Sequence, residues 1–287
     1  MINNKTRVDD FWSNHTVKAN NLKSQQSSEE FSEWRLNKYP LYKEFMALDE
    51  SHSNEVVMDY GCGPGNDLVH FISSNPDKII GVDISKKALG FANNRVSLYT
   101  DNVIPVEFIE TTDATDTIPL DDNSIDYIMS SGVLHHTSQP EVILKEFFRI
   151  LKNDSYIRIM VYNRESIFFH MYVAYERNGG FIGNDVDETF KKSTDGVGCP
   201  ISKAYSPNEF VEICDNAGFK TEFVGGYLSD KDAIGYLNRH KSRLLNEIKL
   251  NEEHKEFIKE IEIGDQGHPI YNGKCCGIGG VYKLYKE

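Results

Sequence analysis

The stretch Val56-Val57-Met58-Asp59-Tyr60-Gly61-Cys62-Gly63-Pro64-Gly65-Asn66-Asp67-Leu68 restricts the fold more than any other part of the chain. An apolar run ends in an acid, three glycines alternate, and an apolar helical spacing begins. Glycine lets a backbone turn tightly and approach a ligand with no Cβ in the way. A first strand that hands over to a helix through such a turn is the nucleotide-binding corner of a parallel α/β sheet. The spacing is D-x-G-x-G-x-G and not the phosphate-gripping G-x-G-x-x-G, so a pyrophosphate is not the expected guest.

The alternation continues downstream. Strands are expected at 56–60, 78–83, 106–110, 125–131 and 156–162, with helices from Asn66, from Ser85 and over Pro140–Leu151. Strand and helix in turn imply a parallel sheet. Later, Ser206-Pro207-Asn208-Glu209 places serine at the N-cap, proline at N1 and glutamate at N3, a capping box. That helix should run to Ala217 and stop at Gly218. A sixth strand (Phe219–Val224) and a final one (Gly277–Tyr285) follow. Two regions stand outside this rhythm. Residues 1–28 are polar except for Phe11 and Trp12, which suits either a docked tail or a flap over a ligand; a helical segment, Glu29 to Glu50, follows and is interrupted at Pro40. From Asn163 to Tyr205 an aromatic, helical piece (Ile167–Tyr175) leads into a Gly- and acid-rich stretch. So long an interruption reads as a cap and not a connector. Residues 227–263 are helical, charged and free of motifs.

Composition removes several partners. Acids number 44 against 31 bases, a net charge of −13. Such a surface repels phosphate backbones, so no nucleic-acid partner is expected. No apolar run approaches the ~18 residues of a membrane span, and Met1-Ile2-Asn3-Asn4-Lys5 lacks the apolar core of a signal peptide. The five cysteines, Cys62, Cys199, Cys214, Cys275 and Cys276, form neither a disulfide framework nor a C-x-x-C zinc spacing. A reducing, cytoplasmic setting is the expectation.

The glycine motif resembles motif I of class I methyltransferases, which bind S-adenosylmethionine (SAM). The resemblance is close over 55–162 and looser beyond. It implies a Rossmann-like α/β fold: a mostly parallel seven-stranded sheet flanked by helices, with an N-terminal helical segment and a cap inserted after strand 5. The chain then divides into an N-terminal lid segment (1–54), a SAM-binding core (55–162), the cap (163–205), and the rest of the core with a helical insertion and the last strand (206–287). Cofactor residues implied are Asp59, Tyr60, Gly61, Cys62 and Gly63 in the glycine turn and Ser131 after strand 4. Asp83 ends strand 2, where an acid accepts both ribose hydroxyls, because a carboxylate has two acceptor oxygens. It would alternatively cap the next helix, although Ser85 is also placed to do so. Ile84 would pack on adenine. Asp113, with Ala114 beside it, sits where the family's acid takes the adenine amino group. Arg35, on the preceding helix, would meet the methionine carboxylate, or simply be solvated.

A second segment, Ser130-Ser131-Gly132-Val133-Leu134-His135-His136, resembles the small-molecule branch that includes the ubiquinone and menaquinone enzymes. It lacks the Asp/Asn-Pro-Pro-aromatic tetrapeptide of nucleic-acid amino methyltransferases. His136 is the candidate general base, since an imidazole titrates near neutrality; a helix cap or loop tether is the competing role. No metal is expected, because adjacent histidines point apart and no third ligand is near in sequence. Thr194-Asp195-Gly196 through Tyr205-Ser206 resembles a signature of a subset of the superfamily. Tyr162, Arg164, Tyr172, Asp195 and Tyr205 are therefore candidates for the acceptor pocket, with Arg164 placed to hold a carboxylate bidentately; cap packing is the alternative for each. The resemblance implies methyl transfer from SAM, leaving S-adenosylhomocysteine, to a small-molecule or peptide acceptor, with oxygen favoured in a tailoring pathway. C-methylation of a quinone-like or polyketide ring stays open, as does a protein that binds SAM without turnover. The absent G-x-G-x-x-G argues against a dehydrogenase.

Overall fold

Runs such as Val56–Met58 and Ile79–Val82 are apolar on consecutive positions, so both faces need cover. The computed structural model, which describes residues 4–15, 22–99, 104–113, 116–177 and 185–287, provides it. The strands are β1 (Val56–Tyr60), β2 (Lys78–Asp83), β3 (Val106–Glu110), β4 (Ile125–Ser131), β5 (Leu151–Asn163), β6 (Ala204–Tyr205), β7 (Lys220–Tyr227), β8 (Glu262–Ile263), β9 (Pro269–Tyr271), β10 (Lys274–Cys275) and β11 (Gly279–Lys286). The main sheet runs β3-β2-β1-β4-β5-β11-β7, and the two-residue β6 pairs with β5. β1 to β5 are parallel. β11 lies antiparallel between β5 and β7. The expected seven strands are therefore present, with β6 extending the ladder past the last β4 partner, at Tyr162 and Asn163.

The helices are α1 (Asn4–Asn14), α2 (Gln25–Lys38), α3 (Tyr42–Phe45), α4 (Leu68–Ser74), α5 (Lys86–Val96), α6 (Pro140–Ile150), α7 (Val186–Thr194), α8 (Pro207–Asn216), α9 (Ile234–Leu245) and α10 (Glu252–Glu260). One face of the sheet buries Phe147 of α6 and Phe210 of α8 with Tyr282. The other buries Tyr42, Met46, Leu68 and Phe71. Strand order reverses between β1 and β4, which opens a crevice at their carboxyl ends. Pro40 separates α2 from α3, as its sequence position implied, and Leu41 takes up the turn at φ 71°. Among the described residues, no helix is long and apolar enough to cross a membrane.

The cap departs from the sequence-based division. A π-helix spans Phe168–Arg177, and α7 forms inside the stretch expected to be irregular. Ile167 and Met171 share a core with Leu237, Leu244, Phe257 and Ile258. The cap is thus built from two insertions, 163–205 and 228–278. Pairing β8 with β9 and β9 with β10 gives it a small sheet of its own, so the 267–273 stretch does not close over the cavity described below. Buried Asp232 ties the parts together, accepting the backbone N–H of Phe168 at 2.8 Å and of Ser229 at 2.9 Å.

Beneath α7, the Nδ1 atoms of His170 and His254 lie 2.9 Å apart, and both rings are buried. One proton fits between the two nitrogens, so the pair cannot be doubly protonated in this arrangement. Burial, together with mutual repulsion and Arg164, pushes His170 well below the ordinary histidine value; burial likewise lowers His254. The folded state therefore refuses protons that the unfolded chain accepts below about pH 6.5. Stability present above that pH should fall on acidification, by up to about 1.4 kcal/mol per pH unit for each ring. The urea midpoint is expected to drop from pH 7 to 5.5, and to drop less in a His170→Leu/His254→Leu double variant. Equal drops would remove the pair as the cause.

Candidate active site

The crevice holds a cavity of about 500 Å³. On its β1 side the glycine turn is fastened to β2. Gly61 and Cys62 both donate their N–H groups to the Val82 carbonyl, at 2.7 and 3.0 Å. Gly61 has φ +79°, and a Cβ there would stand 2.1 Å from Val133 Cγ2. No other residue fits without moving the β4 loop. Gly63, φ +53°, has nothing within 4 Å of where a Cβ would be, so its backbone borders open space.

Asp83 holds this turn in place. One carboxylate oxygen accepts the Gly63 N–H at 2.8 Å, and the other accepts the Ser85 N–H at 2.8 Å. Ser85, not Asp83, caps α5, through its side chain and the Ala88 N–H. Burial pushes the Asp83 carboxyl up, against the pull of the Ser85 and Gly63 N–H groups. Each oxygen keeps a second acceptor site. Asp113 accepts the Ser138 N–H through Oδ1 at 2.9 Å, while its Oδ2 is buried with no partner among the described residues. A buried carboxylate oxygen without a partner is uncommon in a folded chain and asks for a donor.

Tyr60, Gly61, Cys62, Gly63, Asp83, Ile84, Ser85, Asp113, Ser131 and Arg35 all line this cavity. Two expected cofactor residues are not among them. Ala114 lies outside the described residues. Asp59 sits within β1 between Gly81 and Met129, 3% exposed, and does not reach the cavity. Burial, with Asp67 and Asp83 close by, pushes its carboxyl well up. The alternation of a strand turned this side chain inward.

Arg35 reaches the cavity already committed. It grips both oxygens of Asp67, at 2.5 and 2.9 Å, and donates to Tyr42 Oη at 3.0 Å. Tyr42 in turn donates to Asp67 at 2.8 Å and meets Ser131 Oγ at 3.0 Å. Burial would raise the Asp67 carboxyl, but Arg35 outweighs it and holds it below its usual range. Asp67 was missed in the sequence because its place before Leu68 reads as a helix N-cap. It occupies that place but makes no capping bond.

The acceptor side gathers His136, Tyr162, Thr194 and Asp195. His136 Nδ1 lies 2.8 Å from the Ile201 carbonyl, and Nε2 lies 3.5 Å from Asp195 Oδ1. A carbonyl only accepts, so Nδ1–H donates to it, while Nε2 faces Asp195, which is also an acceptor. Asp195 also accepts from Tyr162 (3.0 Å), Thr194 (2.7 Å) and Ser202 (2.8 Å). Burial works against its charge, yet the bond to His136 and the two neighbouring histidines keep it far below the usual carboxylate range. His135 stacks against both His136 and Tyr162, at 4.0 Å each. Folding does supply a third ligand type: atoms of His136, Asp195 and Cys199 lie within 4.8 Å of one another. Each donor is engaged, however; the Cys199 thiol donates to the Ile201 carbonyl, and burial pushes that thiol up to about 11. The set does not fit a metal without breaking these bonds.

Three acceptor candidates lie elsewhere. Arg164 pairs with Asp187 at 2.7 Å and lies over the Phe169 ring, outside the cavity. Tyr172 packs on Phe168 at 5.1 Å, and Tyr205 on Phe210 at 5.2 Å. For these the packing alternative holds. Trp12, by contrast, lines the cavity from α1, 4.7 Å from the His136 ring, and Phe11 beside it is buried.

A doubly wound sheet with a glycine turn, two acids at successive strand ends and a cap is the class I methyltransferase architecture. The chain belongs to the methyltransferase domain family, whose model matches residues 51–218. Among curated proteins it is 37% identical over 115 residues to an uncharacterised 37.1 kDa protein of transposon TN4556 from Streptomyces fradiae, covering 39% of this chain and 31% of that one. It is 28% identical over 122 residues to a phosphoethanolamine N-methyltransferase of Triticum aestivum, covering 42% and 23%. The match thus spans under a third of either relative. Among solved structures, a chain of the Haloferax volcanii complex between the Trm112 methyltransferase activator and a methyltransferase superposes over 97% of both chains, with TM-score 0.56 and 16% identity. At that identity the likeness is one of fold.

Proposed function

We propose that this protein is a SAM-dependent methyltransferase that methylates a hydroxyl oxygen on a small-molecule or peptide acceptor, in a tailoring step. The orphaned, buried Oδ2 of Asp113 beside the glycine turn and Asp83 supports the cofactor: an adenine amino group satisfies Oδ2, and a ribose diol suits the second acceptor sites of Asp83. Bound SAM would supply an electrophilic methyl group on a positively charged sulfur. The chain's own part is to aim the acceptor, exclude water and move one proton.

The observation that carries the choice of acceptor is His136. Its Nδ1 is held by the Ile201 carbonyl and its Nε2 stands beside Asp195 at the cavity wall, so base catalysis requires the ring in its neutral Nδ1–H form. A hydroxyl can give its proton to Nε2 as its oxygen becomes nucleophilic, and Asp195 then balances the imidazolium. A carboxylate acceptor needs no base and meets no welcome. Arg35 is the one arginine or lysine among the described lining residues, and it is neutralised by Asp67.

The test is to incubate the protein with [methyl-13C]SAM and panels of phenols, alcohols, amines and carboxylic acids, then locate the label by NMR. Label on hydroxyl oxygen is expected. Label confined to nitrogen, ring carbon or ester oxygen would overturn O-methylation of a hydroxyl. Binding of SAM with no turnover of any acceptor would indicate a non-catalytic binder.

A further inference from the structure

We propose that α1 is a working part of the site: Asp9 positions the loop that reads adenine, and Trp12 roofs the acceptor space beside His136. The inference rests on SAM being the cofactor. The helix is mostly polar, yet Val8 and Phe11 are buried, at 2% and 9% exposure, and both line the cavity with Trp12. One turn thus faces both ends of the site. The Asp9 carboxylate accepts the Asp113 N–H at 2.8 Å, and Trp12 contacts the His136 ring.

The Asp9 contact has an electrostatic consequence. Docking α1 brings a second carboxylate to Asp113, whose own Oδ2 is buried and unsatisfied. Burial, with the nearby Asp113 and Asp10 charges, raises the Asp9 carboxyl against the pull of the Asp113 N–H. An amino N–H delivered to Oδ2 supplies the missing partner and offsets the repulsion between the two carboxylates. Nucleoside binding and helix docking therefore favour each other, and linkage makes the effect reciprocal. The acceptor's roof is then held more firmly on the cofactor-loaded protein.

The chain has two tryptophans, which makes the idea measurable. In a Trp34→Phe protein, emission reports Trp12 alone. Titration with S-adenosylhomocysteine is expected to shift that emission to the blue and to shield it from acrylamide, with the calorimetric midpoint. Asp9→Ala should weaken S-adenosylhomocysteine binding about tenfold, while Asp9→Asn, which keeps an acceptor for the Asp113 N–H, should restore it. S-inosylhomocysteine lacks the amino group, so its weaker binding should not respond to Asp9→Ala. Emission that ignores a bound ligand, or an Asp9→Ala loss equal for the two nucleosides, would overturn the inference. Failure of the wild type to bind S-adenosylhomocysteine would overturn the cofactor assignment beneath it.

Discussion

Asp83→Ala should lower affinity for S-adenosylhomocysteine by about 100-fold or more in calorimetric titration. Hydrogen bonds to a charged acceptor contribute about 1.5–3 kcal/mol each, and two ribose hydroxyls would be lost together, where about 1.4 kcal/mol is tenfold. The substitution also frees the N–H groups of Gly63 and Ser85, so the glycine turn loses its anchor to the end of β2. Acid should mimic the change. Burial raises the Asp83 carboxyl, so the charged acceptor form is present at neutral pH and is lost on acidification sooner than for an ordinary aspartate. Wild-type affinity should therefore weaken above the usual carboxylate range, and affinity in Asp83→Ala should not. An Asp83→Ala protein that binds S-adenosylhomocysteine like wild type would remove the ribose from this position and the cofactor assignment with it.

The second large effect concerns turnover. With a hydroxyl acceptor in hand, His136→Ala should reduce kcat by about 10²–10⁴, the usual worth of a placed general base. Cofactor affinity should stay within about twofold, because no cofactor-side hydrogen bond passes through His136. Asp195→Asn should cost less and act differently. It leaves the shape intact but removes the charge that balances the imidazolium, so it should depress kcat and move the acid limb of the pH profile, where a general base is protonated, to lower pH. Unchanged kcat in His136→Ala would assign proton removal to solvent and leave His136 as a tether for Ile201.

The glycine-turn side of the cavity was legible in the sequence because each of its parts is local. The turn after β1, the acid ending β2 and the acid past β3 are short segments whose positions follow from strand register. Asp59 is the exception, and for the same reason: its inward orientation comes from the β1 pleat, which the motif spelling conceals. The acceptor side was only half legible. His136 and Asp195 were both singled out, but nothing in the sequence joins residues so far apart; α7 does that by placing its C-cap residue against the β4 loop. Arg164 shows the converse. An arginine at a strand edge looks like an anion clamp until Asp187 and Glu253, from the two insertions, take its charge. Asp67 and Asp9 were invisible because each is an ordinary helix-end or helix-face acid whose partner comes from a distant helix or loop.

β11 carries one more implication. It has backbone partners on both flanks, β5 and β7. Without residues 279–286 each of those strands would present a raw edge, a template for another chain, so loss of this strand would leave a sticky, aggregation-prone polypeptide and not merely a shorter protein.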